Sequence, residues 1–373
     1  MAMIVAGHTL NTQEGVDKIT STDKITSAYF SDSVVQLNAA DLHSASISDT
    51  NEVYYYGIAK DTVTGSIQFN VSYGNSLGYG GDTGATVDDI KSPTEAVYKH
   101  WSNSLLAENE VTGGFIISSP GSTSAVASGK DTEIYILNAK RSLMKDRLNK
   151  KNWTVVLSGS NTAGSAGATL LHLTDDSNTV AATATPAGPR YNIVSGSQGT
   201  AVVTAAVTTY GWFYPDQGTL VFSGAELSAS IPGKGAQNTT AVTYNTATMK
   251  GFGSAGNSGN VLEGEDYNTA LRFINCLKPT GAYLKFRDEE DQTSVSYFCR
   301  VRSGESNFSN NPTFVSGSLN EIRHATMKGN PSVYISGVEL YDNAGNVVAT
   351  GKLSTPLKKN FSSEATIKVK LTY

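Results

Sequence analysis

The chain has 373 residues, more than the roughly 250 to 300 at which one hydrophobic core stops growing, so two domains, or one domain with a large insertion, are expected. Its 28 Lys and Arg against 33 Asp and Glu give a net charge of −5, with no basic concentration over the chain as a whole, which argues against nucleic acid as a partner. Only 16% of residues are charged, while Gly numbers 36 and Tyr 18, a balance that suits turn-rich β architecture better than helical bundles.

Residues 1 to 157 mix both element types. Val53 to Ile58 and Ser66 to Tyr73 read as strands, the second alternating Ile67, Phe69, Val71 and Tyr73 with polar neighbours, as in a hairpin or at a sheet edge. Asn75 to Asp89, with Gly78, Gly80, Gly81 and Gly84, lacks periodicity and reads as a long surface loop. Ser92, Pro93 and Glu95 fit the N-cap, first and third positions of a helix, and Val97, Trp101 and Leu105 follow at four-residue spacing. A second helix is expected from Asp131 to about Lys151, with Leu137, Met144 and Leu148 as its apolar stripe. Its other positions are basic: Lys140, Arg141, Lys145, Arg147, Lys150 and Lys151, against Asp146 alone. That face is either a patch for an acidic partner or a solvated surface near a helix C-terminus, which favours cations. Trp153 to Leu157 begins a strand.

From 158 to 260 the composition turns to Ala, Ser, Thr and Gly and reads as an inserted β domain, with short strands such as Ala201 to Val207 and Leu220 to Phe222. The aromatics of Tyr210 to Pro215 serve there either as a packed corner or as a partner anchor. Mixed character returns after Gly264, with Ala270 to Leu277, Tyr283 to Phe286 and Val295 to Val301 as strands or short helices. Ser318 and Glu321 form a capping-box pair, and Gly329 with Pro331 supplies a stop, so Leu319 to Lys328 is a short helix or a structured loop. Val333 to Tyr341 and Val347 to Leu353 flank Asp342-Asn343-Ala344-Gly345-Asn346, which makes a hairpin. Ile367, Val369, Leu371 and Tyr373 then alternate with Thr366, Lys368, Lys370 and Thr372, so the chain ends in a strand with one buried face. The expected fold is mainly β (α+β): an antiparallel sheet domain with a few helices from residues 1–157 and 261–373, and an inserted β domain at 158–260.

Signals for chemistry are weak. Gly251 to Gly256 spells GxGxxG, but Asn257-Ser258-Gly259-Asn260 extends a loop where a dinucleotide site needs a helix. The carboxylates Asp288, Glu289, Glu290 and Asp291 sit next to one another without the spacing of a calcium loop, and suit an exposed turn or a rim of salt bridges. His8, His43, His100, His172 and His324 are scattered. No Gly-x-Ser-x-Gly elbow occurs, and Cys276 and Cys299 read as reduced, small hydrophobes. No catalytic, cofactor-binding or metal residue is assigned. No apolar stretch approaches the ~20 residues of a membrane span, and Met1 to Leu10 lacks the basic start and apolar middle of a secretory signal, so synthesis in the cytoplasm is expected.

Three strings in the last third, Asn307-Phe308-Ser309-Asn310-Asn311-Pro312-Thr313-Phe314, Val333 to Asp342 and Lys352 to Lys359, resemble the C-terminal region of virion proteins of contractile-tailed bacteriophages, most closely baseplate wedge subunits. Lys278-Pro279-Thr280-Gly281, Lys285 to Asp291 and Tyr297 to Val301 look like further pieces of that pattern, which covers about residues 264 to 373. The resemblance implies a non-enzymatic structural subunit of a virion tail, associating with itself as a dimer or higher oligomer and with other tail proteins. No cofactor, nucleic acid or membrane insertion is implied. The expected interface residues are Lys140, Arg141, Lys145, Arg147, Phe308, Asn310, Asn311, Pro312, Phe314, Lys358 and Lys359. The rival readings are a receptor- or glycan-binding tail protein, whose aromatic insertion would read sugars, a particle-borne glycan hydrolase, and a neck or tail adaptor.

Overall fold

The computed structural model describes residues 18–46, 54–60, 65–78, 93–111, 113–117, 130–159, 169–202, 207–231, 252, 270–308, 311–319 and 321–373. Its strands begin with β1 (Lys18–Ala28), β2 (Gln36–Asn38), β3 (Leu42–Ser46), β4 (Tyr55–Lys60), β5 (Ile67–Asn75), β6 (Glu133–Ala139) and β7 (Arg147–Leu148). There follow β8 (Thr154–Gly159), β9 (Thr169–Asp175), β10 (Thr183–Thr185), β11 (Gly188–Ser197), β12 (Thr200–Ala201), β13 (Thr209–Tyr214) and β14 (Thr219–Ser223). The last are β15 (Tyr283–Lys285), β16 (Arg287–Val301), β17 (Val315–Ser316), β18 (Glu321–Ile322), β19 (Val333–Tyr341), β20 (Val347–Lys359) and β21 (Ala365–Thr372). The helices among the described residues are α1 (Pro93–Leu105), α2 (Glu108–Val111), α3 (Gly224–Ser230) and α4 (Ala270–Leu277). The fold is mainly β, and the strand pairings are antiparallel, as expected from the turn-rich composition.

The chain divides into two compact units, residues 25–290 and residues 1–24 with 291–373. The larger unit is built on one sheet of order β2-β15-β8-β9-β11-β13-β14-β6-β5-β4-β3. Its two end strands, β2 and β3, are consecutive in the chain and separated only by the 3-10 turn Ala39–Asp41. The sheet must therefore curl round until its ends nearly meet. Side chains sort across this wall with the strand period of two. Tyr135 and Leu137 of β6, Phe213 of β13, and Leu220 and Phe222 of β14 join one buried cluster, while Ile134, Ile136, Trp212, Tyr214 and Val221 join a second.

The first cluster lies inside the wall. Helix α4, buried at all eight residues, packs against β8 and also against β4 and β5, strands far apart in the sheet order, so it fills the interior. Trp153 stacks on Phe286 with centroids 5.7 Å apart and planes 3° apart, and Phe213 lies 5.2 Å from the same indole. The second cluster lies outside, beneath α1. Thr94, Tyr98, Ser102 and Leu105 are its buried positions, with Val97 and Trp101 packed at the flank, so the buried face is rotated slightly from the expected stripe. Close approach is needed here: a Cβ on Gly74 of β5 would come within 3.0 Å of the Tyr98 backbone nitrogen.

Three expectations are corrected. The segment 131–151 is no helix; it holds β6, a turn and β7. Ile134-Tyr135-Ile136-Leu137 is a continuous apolar run, the mark of a strand buried on both faces, and the helical spacing of Leu137, Met144 and Leu148 is coincidental. Second, the described strands between 158 and 231 form no separate insert: β9, β11, β13 and β14 carry the sheet from β8 round to β6, through backbone ladders that composition does not report. Third, β5 is an interior strand between β4 and β6, with Gln68 and Ser72 buried beside its apolar residues, although its hairpin with β4 is as expected.

In the smaller unit, residues of β16 from Ser294 to Val301 pair with β21 in register Ser294↔Thr372 to Val301↔Ala365, and β19 pairs with β20 in the expected hairpin. The terminal strand sits at the edge of its sheet, of order β1-β16-β21. The expected helix at Leu319 to Lys328 is instead the short strand β18 and a single 3-10 turn at Ala325–Met327, so the loop alternative holds.

Candidate assembly surface

Only three hydrophobic residues are buried among the described residues of the smaller unit: Val295, Val315 and Ala365. Its strands nevertheless carry apolar side chains in ordered stripes. Along β19, Val333, Ile335, Val338 and Leu340 are half-buried, while Tyr334 and Tyr341 stand 59% and 56% exposed on the other side. The stripe changes parity between Ile335 and Val338 because the ladder shifts register between Ile335 and Gly337. On β21, Ile367, Val369 and Leu371 are half-buried, and in register they lie across from Cys299, Tyr297 and Val295. A two-stranded ribbon is marginal in water unless a hydrophobic face is covered. No residue of β19 or β20 except Lys359 is buried.

The hairpin is held at both ends by polar contacts. At its tip the Asp342 carboxylate accepts hydrogen bonds from the backbone N–H groups of Ala344 (2.9 Å) and Asn346 (2.8 Å) and from the Asn346 amide (2.9 Å), and Gly345 takes φ 85°. The Asn346 amide, then the backbone donors, hold the Asp342 carboxyl below its ordinary value. At its base the Lys359 ammonium, wholly buried, donates to Ser303 O (3.2 Å), Asn307 Oδ1 (2.7 Å) and Glu305 O. Burial pushes the Lys359 pKa down, opposed by the nearby Glu305 and Glu364 carboxylates. The Asn307 amide donates back to Ser303 O at 2.7 Å and closes the cage.

The expected interface residues fall into two groups. In the smaller unit, Phe308 is 55% exposed, Pro312 and Lys358 are exposed, and Phe314 is half-buried. Asn311 caps a turn, its carbonyl accepting from Phe314 N and Val315 N. Asn310 lies outside the described residues. Lys359 is corrected: strand alternation turns Lys358 outward and Lys359 into the cage, so it holds the hairpin's base and presents nothing to a partner. In the larger unit, Lys140, Arg141, Lys145 and Arg147 lie on the turn and on β7. Lys145 pairs with Glu290 at 2.6 Å, which raises its pKa, Arg147 approaches Glu289 at 3.6 Å, and Arg141 donates to the Met144 and Lys145 carbonyls. Arg141, Lys145 and Arg147 are thus engaged by their own chain, Lys140 is half-buried with its backbone N–H donating to Gln68 O and Tyr29 Oη, and with no helix here the expected basic helix face does not exist. Tyr334, Tyr341, Val347 and Val348 escaped selection; their signal was apolar residues on both faces of a hairpin.

Other motifs resolve as structure. Asp288 to Asp291 lie on β16, with Asp288 and Glu289 buried; Ser27 donates to Asp288 (2.5 Å) and Asn149 to Glu289 (2.6 Å). That replaces the expected exposed turn, while the ion pairs of Glu289, Glu290 and Asp291 match the salt-bridge rim. Tyr210 to Tyr214 are buried in β13, with Arg190 stacked 3.9 Å over Trp212 and forked onto Glu110 (3.1 and 3.2 Å). Those rings are packing, as the corner alternative has it. Cys276 is buried and Cys299 half-buried, and neither forms a disulfide. Of the GxGxxG string only Phe252 is described, buried at the interior cluster, and the glycine-rich loop after Gly78 also lies outside the described residues. Among the described residues no group of three or more His, Cys, Asp or Glu could hold a metal ion, and no helix is long and apolar enough to cross a membrane. Comparison with protein-family models, with curated proteins and with solved structures finds no match to this chain.

Proposed function

We propose that this chain is a structural subunit of a bacteriophage virion, a component of a contractile-tail baseplate, which joins its neighbours through residues 291–373. One observation carries the assembly reading: a unit of about a hundred residues has ordered strands but only three buried hydrophobic side chains among its described residues, so it gains its missing burial by association. The tail assignment is supported by the strings that resemble wedge subunits, since Asn307 to Phe314, Val333 to Asp342 and Lys352 to Lys359 all fall in this unit. Gold labelling of a C-terminal tag on particles, viewed by negative stain, tests the assignment. Label at the tail end is expected; particles of normal yield and infectivity that carry no label would overturn it.

A further inference from the structure

We propose that Lys359 and Asn307 join covalently, the Lys359 amine displacing ammonia from the Asn307 amide to leave an isopeptide bond at the base of the β19–β20 hairpin. A fully buried lysine is ordinarily matched by a carboxylate, because an ammonium taken out of water without a counter-ion is costly. Lys359 is 0% exposed, and its three acceptors, Ser303 O, Glu305 O and Asn307 Oδ1, are all neutral carbonyls. Burial therefore favours the amine over the ammonium, the direction in which the pKa moves, and a desolvated lysine amine is a nucleophile.

The electrophile is already in place. Nζ lies 2.7 Å from Asn307 Oδ1, so with a C=O bond of about 1.23 Å it is at most ~3.9 Å from Cγ, near the attack distance of about 3 to 3.5 Å. Asn307 is itself 1% exposed, and its amide is tethered to Ser303 O at 2.7 Å, the same oxygen that accepts from Lys359 at 3.2 Å. Nucleophile and leaving group are thus held beside one another on one carbonyl. The ammonium first gives a proton to one of the nearby carboxylates, Glu305 or Glu364. The Nζ lone pair then attacks Cγ, a proton passes from Nζ to Nδ2, the Cγ–Nδ2 bond breaks, and ammonia leaves with its electron pair. No oxidant, reductant or cofactor takes part. The hydrogen-bonded cage is the state before this reaction.

The bond answers a need of the smaller unit. Its buried hydrophobics among the described residues are only Val295, Val315 and Ala365, and its one cysteine, Cys299, forms no disulfide. Small cores are commonly supplemented by a covalent staple. A link across 52 positions of sequence closes β17 to β20 into one loop and restricts the unfolded chain. The link forms whatever particle the chain belongs to and whichever partner covers the hairpin's faces.

The test is the mass of the purified full chain under denaturing conditions, followed by tryptic digestion and fragment sequencing. The expected mass is about 17 Da below that of the sequence, with or without Met1, the difference being one ammonia. Trypsin should fail to cut after Lys359, and residues 303–323 should appear joined to residues 359–368. Lys359→Met and Asn307→Ala should each return to full mass. A folded wild type at full mass would overturn the proposal. So would a loss of ammonia with residues 303–323 and 360–368 recovered separately, which marks ring closure of an asparagine on its own backbone, or a loss that survives in either variant. Wild type decides alone if a variant fails to fold.

Discussion

Replacing Lys359 by Met tests whether the buried ammonium cage holds the terminal hairpin. The side chain keeps its length, but Glu305 O and Asn307 Oδ1 lose their donor, while Ser303 O keeps the bond from the Asn307 amide. Asn307 Oδ1, left buried and unpaired, costs about 1 to 3 kcal/mol, while the Glu305 carbonyl belongs to an exposed residue and can turn to water. The ammonium was itself held at a desolvation cost, seen in its lowered pKa, so part of that loss is returned and a net of about 1 to 2 kcal/mol remains. The three tryptophans, Trp101, Trp153 and Trp212, all lie in the other unit, so fluorescence will not report the change. Amide hydrogen exchange does: the β19–β20 ladder should exchange roughly 5- to 30-fold faster at 1.4 kcal/mol per tenfold, while β5 and β6 stay protected. Unchanged exchange in the ladder would refute the view that the cage holds the hairpin.

Trp153→Ala should cost about 3 to 5 kcal/mol in urea unfolding, because the ring is fully buried and stacked on Phe286; a loss under about 1 kcal/mol would mean that the interior collapses around the gap. Burial alone would raise the Glu110 carboxyl, but the Arg190 fork and the Ala107 N–H outweigh it and hold its pKa below the usual glutamate value. A depressed folded pKa means stability that is present above the ordinary glutamate value near 4.3 and lost as pH falls through the lower one. Wild type should therefore exceed Glu110→Gln by about 0.5 to 1 kcal/mol at neutral pH, the pair being partly solvated, and the gap should close with acid. A gap independent of pH would assign the effect to packing.

The parts of the fold legible in the sequence were those written in local chemistry. The Asp342 to Asn346 cluster forces a hairpin whatever surrounds it, and Pro93 with Glu95 starts a helix that packs close to the expected way. The misread parts depend on distant partners. β6 pairs with β14 across some eighty residues, for example Ile136 with Val221, and nothing local distinguishes its doubly buried run from a core helix. Lys358 and Lys359 look equivalent on paper, yet strand alternation sends one to solvent and the other into a cage built by Ser303, Glu305 and Asn307. A missing core is likewise invisible in a strand pattern, because Ile367, Val369 and Leu371 have the same spacing whether or not anything covers them.

The three-residue turn between β2 and β3 sets a timetable for biosynthesis. The larger sheet needs β15 to bridge β2 and β8, pairing Leu284 with both Leu37 and Val155, so its ends cannot be brought round before residue 285 has left the ribosome. At about 5 to 20 residues per second, β2 waits roughly 12 to 50 s for that partner, and the β8 edge stays open for much of this time. The nascent chain thus carries the unpaired, apolar edge of β8 from residue 159 until residue 285 is made, roughly a third of its synthesis, the period in which a crowded host and a chaperone compete for it.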